Sequence, residues 1–422
     1  MKTSFPKEKI KVVLMENIHP LGAAALRAEG FAVETLAGSP EKAKLLKLVA
    51  ETHVLGIRSK TDLTREVLDA APRLLAVGAF CIGTNQIDLK HAGCAGIPVF
   101  NSPFSNTRSV AELTLAEVVS LYRRLTEKTA QMHAGVWDKS ATGAHEVRGR
   151  TLGIVGYGHI GSQVSVLAEA FGMRVVFYDI VPKMAIGNAR QVKTLGELLK
   201  ESDVVTLHVP ATEATRGMIG GSQLKKMKAG SFLINNSRGS VVDVAALAEA
   251  IRSNHLAGAA LDVFPDEPSH KGEAFRSPVL GLPNVILTPH VGGSTEEAQA
   301  TIADDVSTKL IKFVNVGSTT GAVNVPEVEL PEQGRAGAEE KSAGASPTPR
   351  PHRILHFHRN VPGVLSKMHA AIAKIGANIS AEYLRTSEEI GYVVLDVDPT
   401  DGEQVLGRLR EIPETIKVRM LW

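Results

Sequence analysis

Residues 151–179 read TLGIVGYGHIGSQVSVLAEAFGMRVVFYD. An apolar run, TLGIV, meets a glycine turn, a helical pattern follows, and a second β-branched run ends at Asp179. Gly156, Gly158 and Gly161 stand in the spacing G-x-G-x-x-G. The first glycine permits a tight turn, the second lets backbone approach a pyrophosphate, and the third lets helix and strand pack closely. The helix N-terminus then faces the ligand's negative charge. An acidic residue about 20 residues further on completes the dinucleotide fingerprint, and Asp179 supplies it. A carboxylate there accepts from the ribose hydroxyls and repels a 2′-phosphate, which favours NAD over NADP. Nearby Lys183 softens that preference, and Asp179 also has a plainer reading as a strand-end cap.

Outward from this unit, strands and helices alternate. Upstream come KVVLME (11–16), LLAVGA (74–79) and IPVFNSP (97–103), with helical patterns between them and a long one at VAELTLAEVVSLYRR (110–124). Downstream come DVVTLHVP (203–210), SFLINNSRG (231–239), AGAALDVF (257–264) and NVILTPH (284–290). The rhythm predicts α/β architecture with a doubly wound parallel sheet. A helical pattern over 296–315 follows. Residues 327–351, rich in Pro, Gly, Ala, Ser and Glu without hydrophobic period, predict a flexible linker. From 352 to 422 the order strand–helix–strand–strand–helix–strand predicts a ferredoxin-like module.

The bulk numbers narrow the function. With 47 basic and 45 acidic residues the net charge is +2, which leaves no footprint for nucleic acid. No apolar stretch approaches the ~18 residues of a membrane span, so no membrane partner is expected. The N-terminal residues lack a signal-peptide h-region. Cys81 and Cys94, outside any metal-ligand pattern, predict neither disulfide framework nor metal and fit a reducing, cytoplasmic compartment.

Three charged residues fall at or just beyond strand ends on the side where such sheets place their chemistry. Arg238 follows FLINN, Glu267 lies in the turn VFPDEP, and His290 ends VILTPH. Oxidation of a 2-hydroxy acid needs a base for the hydroxyl proton and a cation for the carboxylate. His290 titrates near neutrality and suits the base. Glu267 would orient the imidazole, and Arg238 offers a planar fork to carboxylate and carbonyl oxygens. Each alone has a bland reading as a structural histidine, an acidic turn or a surface loop.

GIVGYGHIG, INNSRGSVVD, ALDVFPDEP and TPHVGGST resemble the D-isomer-specific 2-hydroxyacid dehydrogenases over roughly residues 1–326. The resemblance puts the family's catalytic arginine, glutamate and histidine on Arg238, Glu267 and His290. It adds His159, Ile160, Pro210, Asp262, His290 and Gly292 to the NAD site. It also implies a split flavodoxin-like substrate domain (1–106 and 295–326) into which a Rossmann-type cofactor domain (107–294) is inserted. GIRSKT, GAFCIGTNQID, FNSPFSNTRSVAELTL and GVWDKS are similar to the phosphoglycerate-oxidising branch. That implies a phosphorylated small-molecule substrate, 3-phospho-D-glycerate, and the first step of L-serine biosynthesis. Arg58, Ser59, Lys60, Asn106, Lys139 and Gly292 then join Arg238 and His290 in substrate binding. A 2-oxoglutarate reductase side activity is compatible with a second anion in place of the phosphate.

The stretch HFHRNVPGVLSKMHAAIAKIGANIS (356–380) resembles an ACT domain, which assigns 352–422 to regulation. The resemblance implies L-serine as effector at His358, Asn360 and Asn378, and a homotetramer built from two different interfaces. Val361 departs from the basic residue of related modules. Two alternatives remain: another D-2-hydroxyacid dehydrogenase, such as a glyoxylate or hydroxypyruvate reductase, and an NADH-sensing corepressor that binds peptides without turnover.

Overall fold

A computed structural model describes residues 6–268, 272–331 and 351–421. The chain divides into two compact units, Met1–Ser105 with Gln299–Trp422, and Asn106–Ala298. Most of the linker expected over 327–351, namely 332–350, lies outside the described residues, as does the start of the N-terminal arm. The expected linker's first residues are packed. Val328 is buried and its backbone pairs with Thr319.

In the first unit five parallel strands run in the order Ala32–Thr35, Lys11–Leu14, Val54–Ile57, Ala76–Ala79, Val99–Phe100. This is the flavodoxin-like order. The central strands are buried on both faces, as their unbroken apolar runs require. From the helix Glu296–Val316, Ile302, Val306, Leu310 and Phe313 join this core beside Leu26 and Phe100.

The same unit holds the C-terminal module. Its antiparallel strands lie in the order Ile379–Thr386, Ile390–Val397, His352–Arg359, Thr415–Met420. With helices Val364–Lys374 and Gly402–Arg410 this is the expected ferredoxin-like arrangement. Alternation along the strands feeds two cores. Ile354, Val393 and Leu395 meet the helices, whereas Leu355, Phe357, Tyr392 and Val394 meet Phe100, Phe313 and Val325. Arg353 and Asp396 are 0% and 1% exposed and pair across this second face. Both bonds to the carboxylate are 2.8 Å, and the guanidinium also donates to the carbonyls of Leu330 and Pro331.

The second unit is a seven-stranded parallel sheet: Val285–Leu287, Leu256–Leu261, Ser231–Asn235, Val204–Leu207, Thr151–Val155, Arg174–Tyr178, Arg190–Gln191. The order reverses between Thr151–Val155 and Val204–Leu207, the switch point at which doubly wound sheets bind ligands. Helix Thr107–Arg123 packs over the sheet through Leu115, Val118 and Leu121. No helix among the described residues is long and apolar enough to cross a membrane.

Candidate active site

The glycine turn sits at the switch point. Gly156 has φ +92°, and a Cβ there would come within 2.5 Å of the His208 carbonyl oxygen. A Cβ on Gly161 would lie 2.2 Å from the Gly156 carbonyl oxygen, so both positions admit only hydrogen. A Cβ on Gly158 would meet nothing within 4 Å, leaving room beside the N-terminus of helix His159–Ala170. His159 and Ile160 open that helix, and Pro210 lies just past the neighbouring strand, where its carbonyl accepts from the Thr215 hydroxyl. Asp179 follows strand Arg174–Tyr178 and accepts from the backbone N–H groups of Tyr157 (2.9 Å) and Val181 (3.2 Å). Its carboxylate is therefore tied to the glycine turn itself. An open cradle, a helix N-terminus and an anchored carboxylate fit a dinucleotide.

Arg238, Glu267 and His290 converge. Arg238 follows strand Ser231–Asn235, and the Asn235 amide donates to its carbonyl at 3.0 Å. Gly239 then passes so close to the next turn that a Cβ would stand 2.0 Å from the Phe264 carbonyl carbon and oxygen. That approach brings Arg238 to the turn bearing Glu267. Glu267 Oε1 accepts from the Phe264 N–H at 3.1 Å, and Oε2 lies 2.9 Å from His290 Nδ1.

Strand NVILTPH was expected to end at His290, but the strand stops at Leu287 and His290 has φ +56°. The cause is Asp262, buried at the end of the adjacent strand. One of its oxygens accepts from the Thr288 hydroxyl (2.6 Å) and the Val291 N–H (2.8 Å), the other from the Gly292 N–H (2.7 Å). These bonds wrap the chain around Asp262 and turn His290 toward Glu267. Asp262, expected at the cofactor site, is thus also the organiser of the histidine turn.

The electrostatics follow from this geometry. The Glu267 hydrogen bond raises the His290 pKa above its ordinary value against partial burial and the charge of Arg238. Burial works to raise Glu267, but the His290 hydrogen bond, its charge, the Phe264 N–H and Arg238 together bring it below the usual carboxylate range. The pair is an imidazole whose protonated form is favoured, beside a carboxylate that stays ionised, with a guanidinium acting on both.

Asn106 stands at the N-cap position of helix Thr107–Arg123 without a side-chain capping bond and lies against Gly293, where a Cβ would be 2.1 Å from its amide nitrogen. Lys139 is exposed in the loop preceding strand Thr151–Val155. Arg58, Ser59 and Lys60 belong to the other unit and follow strand Val54–Ile57. Their loop is clamped by residues the sequence reading missed. Glu16 accepts from the Lys60 and Thr61 N–H groups at 2.9 and 3.0 Å, and Gln86 donates to the Arg58 carbonyl.

In the C-terminal module His358 is buried, stacked on His356 at 5.6 Å, with Nδ1 against the Arg359 carbonyl. Asn360 donates to the Ser387 carbonyl, and Asn378 accepts from the Asp398 N–H through its own carbonyl. Gly363, with φ +89°, turns the chain into helix Val364–Lys374. Val361 is exposed beside Asn360.

Comparison with known proteins adds to this geometry. A family model described as "D-isomer specific 2-hydroxyacid dehydrogenase, NAD binding domain" matches residues 115–292. One described as "AHAS small subunit-like ACT domain" matches 354–417. A Haemophilus influenzae protein named D-3-phosphoglycerate dehydrogenase is 48% identical over 422 residues, covering 100% of this chain and 99% of its own. A Dictyostelium discoideum protein of the same name is 46% identical over 420 residues, covering 100% and 99%. Among solved structures, Aquifex aeolicus D-lactate dehydrogenase, complexed with NAD and lactic acid, has TM-score 0.64 at 30% identity and covers 72% of this chain and 96% of its own.

Proposed function

Because the chain belongs to the D-3-phosphoglycerate dehydrogenases, within the D-isomer-specific 2-hydroxyacid dehydrogenases, we propose that Arg238, Glu267 and His290 carry out NAD-dependent oxidation of 3-phospho-D-glycerate to 3-phosphohydroxypyruvate. The observation that carries the roles is the 2.9 Å contact between His290 Nδ1 and Glu267 Oε2, with Arg238 acting on both. NAD, when bound, supplies the hydride acceptor. Its pyrophosphate would rest on the turn from Gly156 to Gly161 with His159 and Ile160, and its ribose on Asp179.

The protein's own groups do the rest. His290, neutral before the step, takes the proton of the C2 hydroxyl on Nε2 while Nδ1–H stays on Glu267. The imidazolium that forms is neutralised by that carboxylate. Arg238 holds the substrate carboxylate and the oxygen that becomes the ketone, which fixes the face of C2 presented for hydride loss. In the reverse direction the same imidazolium returns the proton. Arg58 and Lys60, with Ser59, supply the cations and hydroxyl for the phosphate. Lys139 is a further phosphate candidate, and Asn106 and Gly292 line the substrate site.

The C-terminal module is an ACT domain, and we assign it L-serine as effector through His358, Asn360 and Asn378, within a homotetramer. Cys81 and Cys94, neither in a disulfide among the described residues, suit a reducing compartment. The deciding assay follows NADH formation from 3-phospho-D-glycerate, with D-lactate and D-glycerate as comparisons, and is repeated with L-serine and with R238A. Preference for the phosphorylated acid, with turnover of all three acids lost in R238A, supports the assignment. Equal rates with the unphosphorylated acids sink the substrate assignment, and indifference to serine sinks the effector.

A further inference from the structure

Beneath the Arg238 turn lies a buried polar cluster for which the mechanism has no use. Glu117 is 3% exposed on helix Thr107–Arg123, on the face that also buries Thr114 and Leu121. The Asn236 amide donates to Glu117 Oε2 at 2.7 Å and to the Thr114 hydroxyl at 3.1 Å. Asn236 stands two residues before Arg238. The same helix reaches the histidine turn, since Val110 and Leu113 flank Gly292. Two buried oxygens of the cluster, Glu117 Oε1 and Asn236 Oδ1, have no hydrogen-bond partner among the described residues.

We propose that Glu117 is a positioning residue for Arg238, holding Asn236 and through it the turn that aims the guanidinium. This rests on the reading of Arg238 as the carboxylate-binding group. An unpaired carboxylate in that layer is costly, whereas a carboxylic acid supplies one donor to a cluster short of donors. The charged group acting on Glu117 is Asp262, across the sheet end. Asp262 receives three donors. Glu117 receives a single amide, that of Asn236, which also reaches the Thr114 hydroxyl. Burial pushes the Glu117 carboxyl up to about 8, against the pull of the Asn236 amide, and the charge of Asp262 adds to the rise. The protonated cluster is thus the working form at neutral pH. Ionisation places a second negative charge beside Asp262 and loosens the seat of Asn236.

The test uses the oxidation direction, where the two titrations fall on opposite limbs. Deprotonation of His290 makes activity rise with pH, and ionisation of Glu117 makes kcat/KM for 3-phospho-D-glycerate fall near pH 8. E117A raises KM for the hydroxy acid about tenfold at pH 7, the effect of losing one hydrogen bond of ~1.4 kcal/mol, with KM for NAD unchanged. E117Q, which carries a permanent donor, rescues KM and removes the descending limb. A descending limb that persists in E117Q, or a parental KM in E117A, overturns the proposal. E117Q keeps the packing and decides the matter should E117A fail to fold. A second readout is independent of turnover. Hydrogen exchange of the Asn236–Arg238 amides is faster in E117A and restored in E117Q. If R238A turns over normally, the functional reading fails alone, and unaltered exchange in E117A then overturns the positioning role by itself.

Discussion

Replacing Gly239 with alanine tests how Arg238 comes to face Glu267. The added Cβ would stand 2.0 Å from the Phe264 carbonyl carbon and oxygen and 2.5 Å from the Pro265 nitrogen. Ordinary contact begins near 3.4 Å, so the two turns must part by about 1.4 Å. All three obstructing atoms are backbone, and no side-chain rotation relieves the clash. Overpacking of this kind costs about 1–3 kcal/mol, which for a unit of this size lowers Tm by roughly 2–4 °C per kcal/mol. The functional cost is larger, because a 1 Å misplacement of a reacting group costs on the order of 10²-fold. G239A should therefore lose about 10²-fold in kcat/KM for 3-phospho-D-glycerate. The Kd of NADH, measured by fluorescence, should stay within about threefold, since the glycine turn at 156–161 is untouched. Gly196→Ala is the control. Its Cβ would reach only the Thr194 hydroxyl at 4.0 Å, and helix Leu195–Glu201 should gain about 0.4–1 kcal/mol. If G239A loses stability but keeps kcat/KM within about threefold of the parent, the close approach of the two turns does not set the catalytic geometry.

Glu267→Gln weakens the hydrogen bond and removes the charge that together raise His290, so the ascending limb of the oxidation pH profile moves to lower pH while the plateau kcat falls; an unmoved limb refutes the coupling. Asp179→Asn weakens NAD binding by about 10–100-fold, the loss of a charge-assisted bond worth ~1.5–3 kcal/mol, and narrows the gap between NAD and NADP, as titration calorimetry would register. Arg353→Ala leaves Asp396 buried and unpaired and destabilises the first unit by about 3–5 kcal/mol in urea unfolding. The double substitution R353M/D396L recovers most of that loss, and a double variant no better than R353A would disprove the account.

Local patterns carry the cofactor turn because its requirements are local: three glycines, a helix and one acid within thirty residues. The ferredoxin-like module was legible for the same reason, through strand alternation and helix period. The histidine turn was not, because what bends it is Asp262, which lies 26–30 residues upstream and acts through the Thr288 hydroxyl and two backbone N–H groups, a pairing that no local pattern reveals. Strand IPVFNSP shrinks to Val99–Phe100 and the edge strand Arg190–Gln191 escaped notice, since two-residue strands have no readable period. Glu117 could have been found. It lies three residues after Thr114 and four before Leu121, on the apolar stripe of VAELTLAEVVSLYRR, where its charged type disguised its position. The clamps on the Arg58–Lys60 loop, Glu16 and Gln86, become visible only when 28 to 45 residues of intervening chain are folded.

The outer face of the C-terminal sheet has a consequence for engineering. Leu355, Phe357, Tyr392 and Val394 are a wall shared with Phe100, Phe313 and Val325, and Arg353 bolts that wall to the chain at Leu330 and Pro331. A gene truncated after Pro331 would leave an oily scar on the remaining fragment, and the ACT module expressed alone would carry the matching half. Neither fragment should behave as a clean monomer. A chimaera bearing a different ACT module therefore has this hidden face to satisfy. A donor module grafted with the same apolar alternation, and with either the Arg353–Asp396 pair or apolar residues in both places, would seat on the host.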